Sequence, residues 1–226
     1  MSQKNSFWEG IIGTPELREN RVDFVESSRK VSIKGLDSKK VLCALPIENI
    51  REHLWALCTS STLYLVDFDR AKICSEFSIA ELGFSDLTQI QLRVSRDARY
   101  LAVAGLFELS GCVYNRITGL ASMIFERDKY HHDVTPFPFA FFEHEGKQLF
   151  IYATAWNKLD VFDPENGQIL TSRELSECYP NESYPEHYLD YFHGRLLVSP
   201  DQQTVVDDGW VWAPVGRVSA WCQETH

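Results

Sequence analysis

Short turn signatures recur along this chain at nearly even intervals, and the interval limits what the chain can become. Val113-Tyr114-Asn115-Arg116-Ile117-Thr118-Gly119 aligns with Val161-Phe162-Asp163-Pro164-Glu165-Asn166-Gly167, a step of 48 residues. Leu65-Val66-Asp67-Phe68-Asp69-Arg70 repeats the strand ending one step earlier, 47 residues back when Val66 is matched to Val113. The two later copies each join an apolar strand end to an Asn- or Asp-led turn and a glycine able to take positive φ. Two steps of nearly one length indicate stacked units, and a period in the forties suits a unit of four short strands. Between the turns, apolar residues run short or alternate at 54–58, 62–68, 90–94, 100–104, 149–153, 159–162, 196–198 and 204–206, which is strand periodicity. Helix candidates are confined to 14–20 and 79–83.

A second landmark lies inside each unit. Val94-Ser95-Arg96-Asp97-Ala98-Arg99-Tyr100-Leu101-Ala102-Val103 resembles the Ser-Pro-Asp-Gly hairpin and following Leu-Ala strand of WD40-like β-propellers. Val198-Ser199-Pro200-Asp201-Gln202-Gln203 is a closer copy of the turn, and residues 141–147 occupy the same place in the unit between. In such a turn Pro presets φ and Asp bonds the backbone two residues on. The resemblance covers residues 50–222. No Gly-His pair leads each repeat, and Val66-Asp67, Tyr114-Asn115 and Phe162-Asp163 stand where Trp-Asp would, so the likeness is to a divergent WD40-like propeller.

The resemblance implies an all-β fold in one domain, 1–226, with about five four-stranded blades whose cores fall at 20–50, 51–86, 87–133, 134–176 and 187–226. It implies a binding platform and carries over no catalytic residue. The third strand of the last unit falls near 217–222. Either an N-terminal strand near 7–12 completes that blade, or an open edge is left that favours a homo-oligomer.

The chain carries 22 basic and 32 acidic residues, a formal net charge of −10. Such a surface repels phosphate backbones, and Asp37 interrupts the densest basic run, 34–40, so no nucleic-acid partner is expected. An acidic body suits solubility or a basic protein partner. The longest apolar stretches, 137–142 and 149–156, are too short to span a bilayer, so no membrane partner is expected. Residues 1–12 read as no secretory signal, which points to the cytoplasm. The six cysteines, at 43, 58, 74, 112, 178 and 222, include no C-x-x-C pair and are expected as free, reduced thiols rather than zinc ligands.

Three clusters could carry chemistry. His131-His132-Asp133 places two imidazoles beside a carboxylate, as metal binding or acid–base work requires, although neighbours on a strand face opposite ways. His187 and His193 share a face at strand spacing, and with His131 or His132 they make the candidate metal set. Asp207-Asp208-Gly209-Trp210-Val211-Trp212 sets paired carboxylates beside tryptophans, as in glycosidases, yet Asp-Gly equally marks a hairpin turn.

Tyr179, Tyr184, Tyr188, Tyr191 and Phe192 crowd the segment 178–192, stiffened by Pro180 and Pro185, where one step of the repeat lengthens. Aromatic loops of this kind supply contact area at low entropic cost, and inserted residues emerge on one face. With Trp210 and Trp212 these tyrosines are the candidate binding residues; the competing reading is that they cap the core. No nucleophile elbow, zincin motif, P-loop or dinucleotide fingerprint is present, and no cofactor is expected. The sequence therefore reads as a non-catalytic binding or scaffold protein acting through loops of one face. A carbohydrate-active hydrolase using Asp207 or Asp208 and a self-associating structural module are the alternatives.

Overall fold

Four antiparallel sheets, each a plain up-and-down meander, account for the described strands. The computed structural model describes residues 30–47, 54–84, 89–171, 190–212 and 215–222. The chain divides into two units, Met1–Val31 and Ser32–His226, and every described strand lies in the second. The first sheet orders β1 (Cys43–Pro46), β2 (Leu54–Cys58), β3 (Thr62–Asp67) and β4 (Lys72–Ser78). The second orders β5 (Ile90–Val94), β6 (Tyr100–Gly105), β7 (Ser110–Asn115) and β8 (Leu120–Glu126). The third holds β9 (Phe139–His144), β10 (Lys147–Ala155) and β11 (Lys158–Phe162), with Ile169 bridged to Phe162 beyond it. The fourth holds β12 (Phe192–Val198), β13 (Thr204–Val211) and β14 (Val215–Cys222).

First strands pack on one another, β1 on β5, β5 on β9 and β9 on β12. Meander sheets that share an axis through their first strands and face each other across their flat sides form a β-propeller. Four blades are described, against about five read from the sequence. The difference lies at the start: Cys43–Pro46, read with the segment 20–50, pairs with Leu54–Cys58 as the inner strand of that blade. Residues 20–29 and the N-terminal strand expected near 7–12 lie outside the described residues. Helix among the described residues is limited to two 3₁₀ turns, Ser38–Lys40 and Ala80–Leu82, and no helix is long and apolar enough to cross a membrane.

Side-chain hydrogen bonds explain why the turn signatures recur. Ser95 Oγ donates to Asp97 Oδ1 at 2.6 Å, Asp97 Oδ1 accepts from Arg99 N, and Ser95 Oγ accepts from Tyr100 N. Ser199, Asp201, Gln203 and Thr204 repeat that pattern bond for bond, with Ala98 and Gln202 both at positive φ. Glu145-Gly146 fills the same place with two residues at φ 51° and 74°, the tight hairpin solution. At the other landmark, Asp67, Asn115 and Asp163 each accept from a backbone N–H two or three residues on, so both steps are 48 residues. Four residues past each stands a residue at positive φ, Ala71, Gly119 or Gly167.

The core lies between the blades. Leu101 and Val103 of β6 join Leu63, Leu65 and Phe77 on one side; Tyr100, Ala102 and Ala104 join Phe125, Phe139 and Phe150 on the other. Both faces of β6 are buried, so its sequence is apolar without alternation. A third cluster joins Ala153 and Leu159 to Leu196 and Val205 of the last blade. Backbone-directed amides lock neighbours together: Gln91 Nε2 donates to Phe137 O, Arg96 N to Gln148 Oε1, and Glu143 N to Gln202 Oε1.

The five described cysteines are free, and burial pushes the Cys58 thiol up to about 12 and Cys112 to about 11. Phe125 is fully enclosed, its ring within 5.3 Å of Phe137, Phe139, Phe150 and Tyr152. Phe125→Ala is expected to cost about 3–5 kcal/mol in urea unfolding, by lost transfer free energy and the cavity left behind. A cost below about 1 kcal/mol would mean that this inter-blade cluster does not carry the fold.

Candidate functional site

In an antiparallel meander, alternate connections emerge on opposite faces. The Ser95, Glu145 and Ser199 turns follow first strands and share one face of the propeller. The β8–β9 connection, the β10–β11 turn, the start of β12 and the end of β13 share the other. On that second face six rings converge: Tyr130, His131, Trp156, Phe192, Trp210 and Trp212.

Phe192 and Trp210 form the slab, stacked 3.8 Å apart at 5°, because they sit opposite each other in the β12–β13 register. Trp212 meets both edge-on, at 5.2 and 5.6 Å, and Trp156 lies 4.5 Å from Phe192. His131 stands among Tyr130, Trp212 and Phe192 at 4.5, 5.0 and 5.4 Å. Phe192 is fully buried, while Tyr130 and Trp212 are 48% and 46% exposed. The cluster is thus a rigid base with two half-exposed rings on top. Aromatic pairs of this geometry contribute about 0.5–1.5 kcal/mol each beyond area burial.

Arg127 holds the β8–β9 connection in place. Its guanidinium donates to the Glu108, Thr135 and His132 carbonyls at 2.8–2.9 Å and lies 4.6 Å over the Phe137 ring. Burial pulls it down to about 10, opposed by Asp128 and Glu108, and it stays charged at neutral pH. Asp128 accepts from Tyr130 N and Trp156 N, Trp156 O accepts from His193 N, and Trp210 Nε1 donates to Thr135 Oγ1 at 3.0 Å. The backbones of Tyr130 and Trp156 are therefore both held by the Asp128 carboxylate.

The expected site residues divide sharply. Trp210, Trp212 and His131 come together. His132 turns away, its Nδ1 2.9 Å from Lys129 O, and His193 meets the buried Asp207 carboxylate at 2.7 Å. Among the described residues no three His, Cys, Asp or Glu side chains converge as a metal ligand set. Tyr179, Tyr184, His187 and Tyr188 lie outside the described residues.

Tyr191 is described, and it is an anchor: 3% exposed, it donates to Asp207 O and Arg217 O and accepts from Gly209 N. Asp207 is fully buried, accepting from Gly194 N at 2.8 Å and contacting His193 Nδ1 at 2.7 Å. Asp208 is exposed on the opposite face of the same strand, so the two carboxylates share no cavity. The Asp-Gly pair sits inside β13 rather than at a hairpin tip. Any side chain at Gly209 would strike Phe192 O and the Tyr191 ring, so glycine serves close packing here.

Sequence reasoning missed Tyr130 and Trp156. The available signal was a tryptophan at the second hairpin of two successive blades, Trp156 and Trp212, with Tyr130 beside the histidine pair that drew attention.

No family model matches the sequence, and no curated protein matches it. Among solved structures, the β-propeller domain of Myceliophteria thermophila Cps50 (Swd1) is 13% identical, with 77% of this chain and 52% of that one covered at a TM-score of 0.49. The chain thus spans about half the length of that domain. The computationally designed Ika4 protein is 12% identical over 87% of this chain and 98% of its own, at 0.48. Kuenenia stuttgartiensis hydrazine synthase is 15% identical over 88% of this chain and 49% of its own, at 0.50. At such identities a likeness concerns fold alone and carries over neither activity nor ligand.

Asp207→Ala is expected to cost about 3–5 kcal/mol, because it leaves His193 and Gly194 N unpaired inside the blade. Asp208→Ala is expected to stay within about 0.5 kcal/mol. Chemical denaturation of the two variants checks the contrast, and equal costs would contradict the assigned burial.

Proposed function

We propose that this chain is a non-catalytic recognition module that binds a protein partner through the aromatic face of the propeller. The observation that carries this reading is the pair of half-exposed rings, Tyr130 and Trp212, held on a base assembled from two adjacent blades. Aromatic anchors on a pre-ordered frame lose little conformational entropy on binding, and such residues dominate interface energetics. Tyr179, Tyr184 and Tyr188 extend the proposed surface. The net charge of −10 favours a partner with a basic contact region. Free thiols support a reducing, cytoplasmic setting. The hydrolase alternative receives no support from Asp207, whose oxygens are committed inside the blade.

Tyr130→Ala and Trp212→Ala should each weaken partner binding by about tenfold or more, with little change in melting temperature. Affinity is to be measured by calorimetry on a partner first recovered by co-purification. Unchanged affinity in both variants would remove the aromatic face from the interface.

Self-association is a second reading, supported by β14. Among the described strands this eight-residue strand ends its sheet with Val215 and Val218 exposed, and long exposed edges pair readily. Under this reading, light scattering across concentration should detect a dimer that Val218→Lys abolishes. A monomer at all concentrations would exclude it.

A further inference from the structure

The last blade leaves one of its two flat faces uncovered. First strands pack on one another from β1 through β5 and β9 to β12, and no comparable contact returns from β12 to β1 among the described residues. β13, the middle strand of this blade, buries Val205, Asp207 and Gly209 on the face toward β9–β11. Thr204, Val206 and Asp208 on its other face stay partly or fully exposed. In register beside them on that face stand Arg195 and Leu197 of β12 and Val218 and Ala220 of β14, all exposed, Leu197 at 55% and Val218 at 68%.

The face of the first blade turned away from the second is closed, because Leu57 and Val66 there are buried. It offers no apolar surface to the fourth blade of another copy, so head-to-tail stacking is not what fits. The open face is instead complementary to itself. Two successive register pairs of β12 and β13 stand on it, Arg195 opposite Asp208 and Leu197 opposite Val206. Among the described residues no ion pair joins Arg195 to Asp208.

A twofold axis running along the strands, midway between β12 and β13, exchanges the members of both pairs. Arg195 then lies over Asp208 of a second copy, and Leu197 lies over its Val206. Opposite charges meet twice and apolar side chains meet twice, which is the condition for an isologous interface. Strands of the two sheets run aligned, as stacked sheets prefer. Val218 and Ala220 continue the apolar surface toward the rim, and contiguous apolar surface marks association sites. We propose that the flat face of the fourth blade is a homodimer interface, with Arg195 of each copy paired to Asp208 of the other. This dimer depends on self-association of the chain, the second reading of its function, and forms through the flat face where that reading uses the free edge of β14.

Sedimentation velocity of the full chain across concentration tests the proposal, with Arg195→Asp, Asp208→Arg and the double variant that exchanges the two charges. The unsubstituted chain is expected to dimerise. Each single variant should weaken the dimer by about tenfold or more, since each sets like charges together twice, and the double variant should restore it. Both side chains are exposed, so the blade stays folded, and matched melting temperatures verify this. A dimer unchanged in both single variants would overturn the proposal and leave edge pairing standing, because Arg195 lies two strands from that edge. Weakening in the single variants without rescue in the double would overturn the pairing of Arg195 with Asp208. A monomer at every concentration would overturn the face and the edge alike.

Discussion

Burial of both faces of the middle strands is the constraint on which everything else in this molecule rests. β6 sends Leu101 and Val103 into one neighbour and Tyr100, Ala102 and Ala104 into the other. β10 likewise divides Phe150 and Tyr152 from Ala153. A single blade would leave one of these apolar faces in water, at about 1.5–3 kcal/mol for each large side chain. Stacking removes that cost, so each blade is stable only beside the next, and the axis and both faces follow from the stacking. The inter-blade amides of Gln91, Gln148 and Gln202 then fix the relative height of neighbouring blades.

Much of this was legible because turns report through side chains as well as through spacing. Ser95-Asp97 and Ser199-Asp201 form the same three-bond lattice, and the residue pattern that produces it is visible in the sequence. Asp67, Asn115 and Asp163 mark the third strand of the first three blades in the same way. The inner strand Cys43–Pro46 was harder to assign. It is short, ends in proline and carries no turn signature of its own, so only its pairing with Leu54–Cys58 reveals the blade it serves. The Asp208-Gly209 pair misled for a related reason: its glycine makes room for Tyr191, and no local pattern encodes the approach of a ring from another strand.

The aromatic face was only half legible. Trp210 and Trp212 stand out in the sequence, but Tyr130 lies 80 residues away and Trp156 lies 54 residues away from Trp210. They meet because Arg127 and Asp128 pin the β8–β9 connection against the β10–β11 turn. His131 was singled out as a possible ligand, and the structure makes it one ring among six. Asp207 and His193 are close in space as a metal or catalytic reading would wish, but their bonds point inward, and the pair stabilises the last blade. Buried polarity here maintains structure; the half-exposed rings face outward on the surface it supports.

The central claim is that recognition takes place on the aromatic face, and a hydrogen-exchange footprint of the partner complex addresses it most directly. The account predicts slowed exchange in the backbone of 127–135, 156–157 and 210–212 on binding, with the Ser95–Arg99 and Ser199–Gln203 turns unchanged. Slowed exchange at those turns, with 127–135 and 210–212 unaffected, would place the interface on the opposite face and contradict the account.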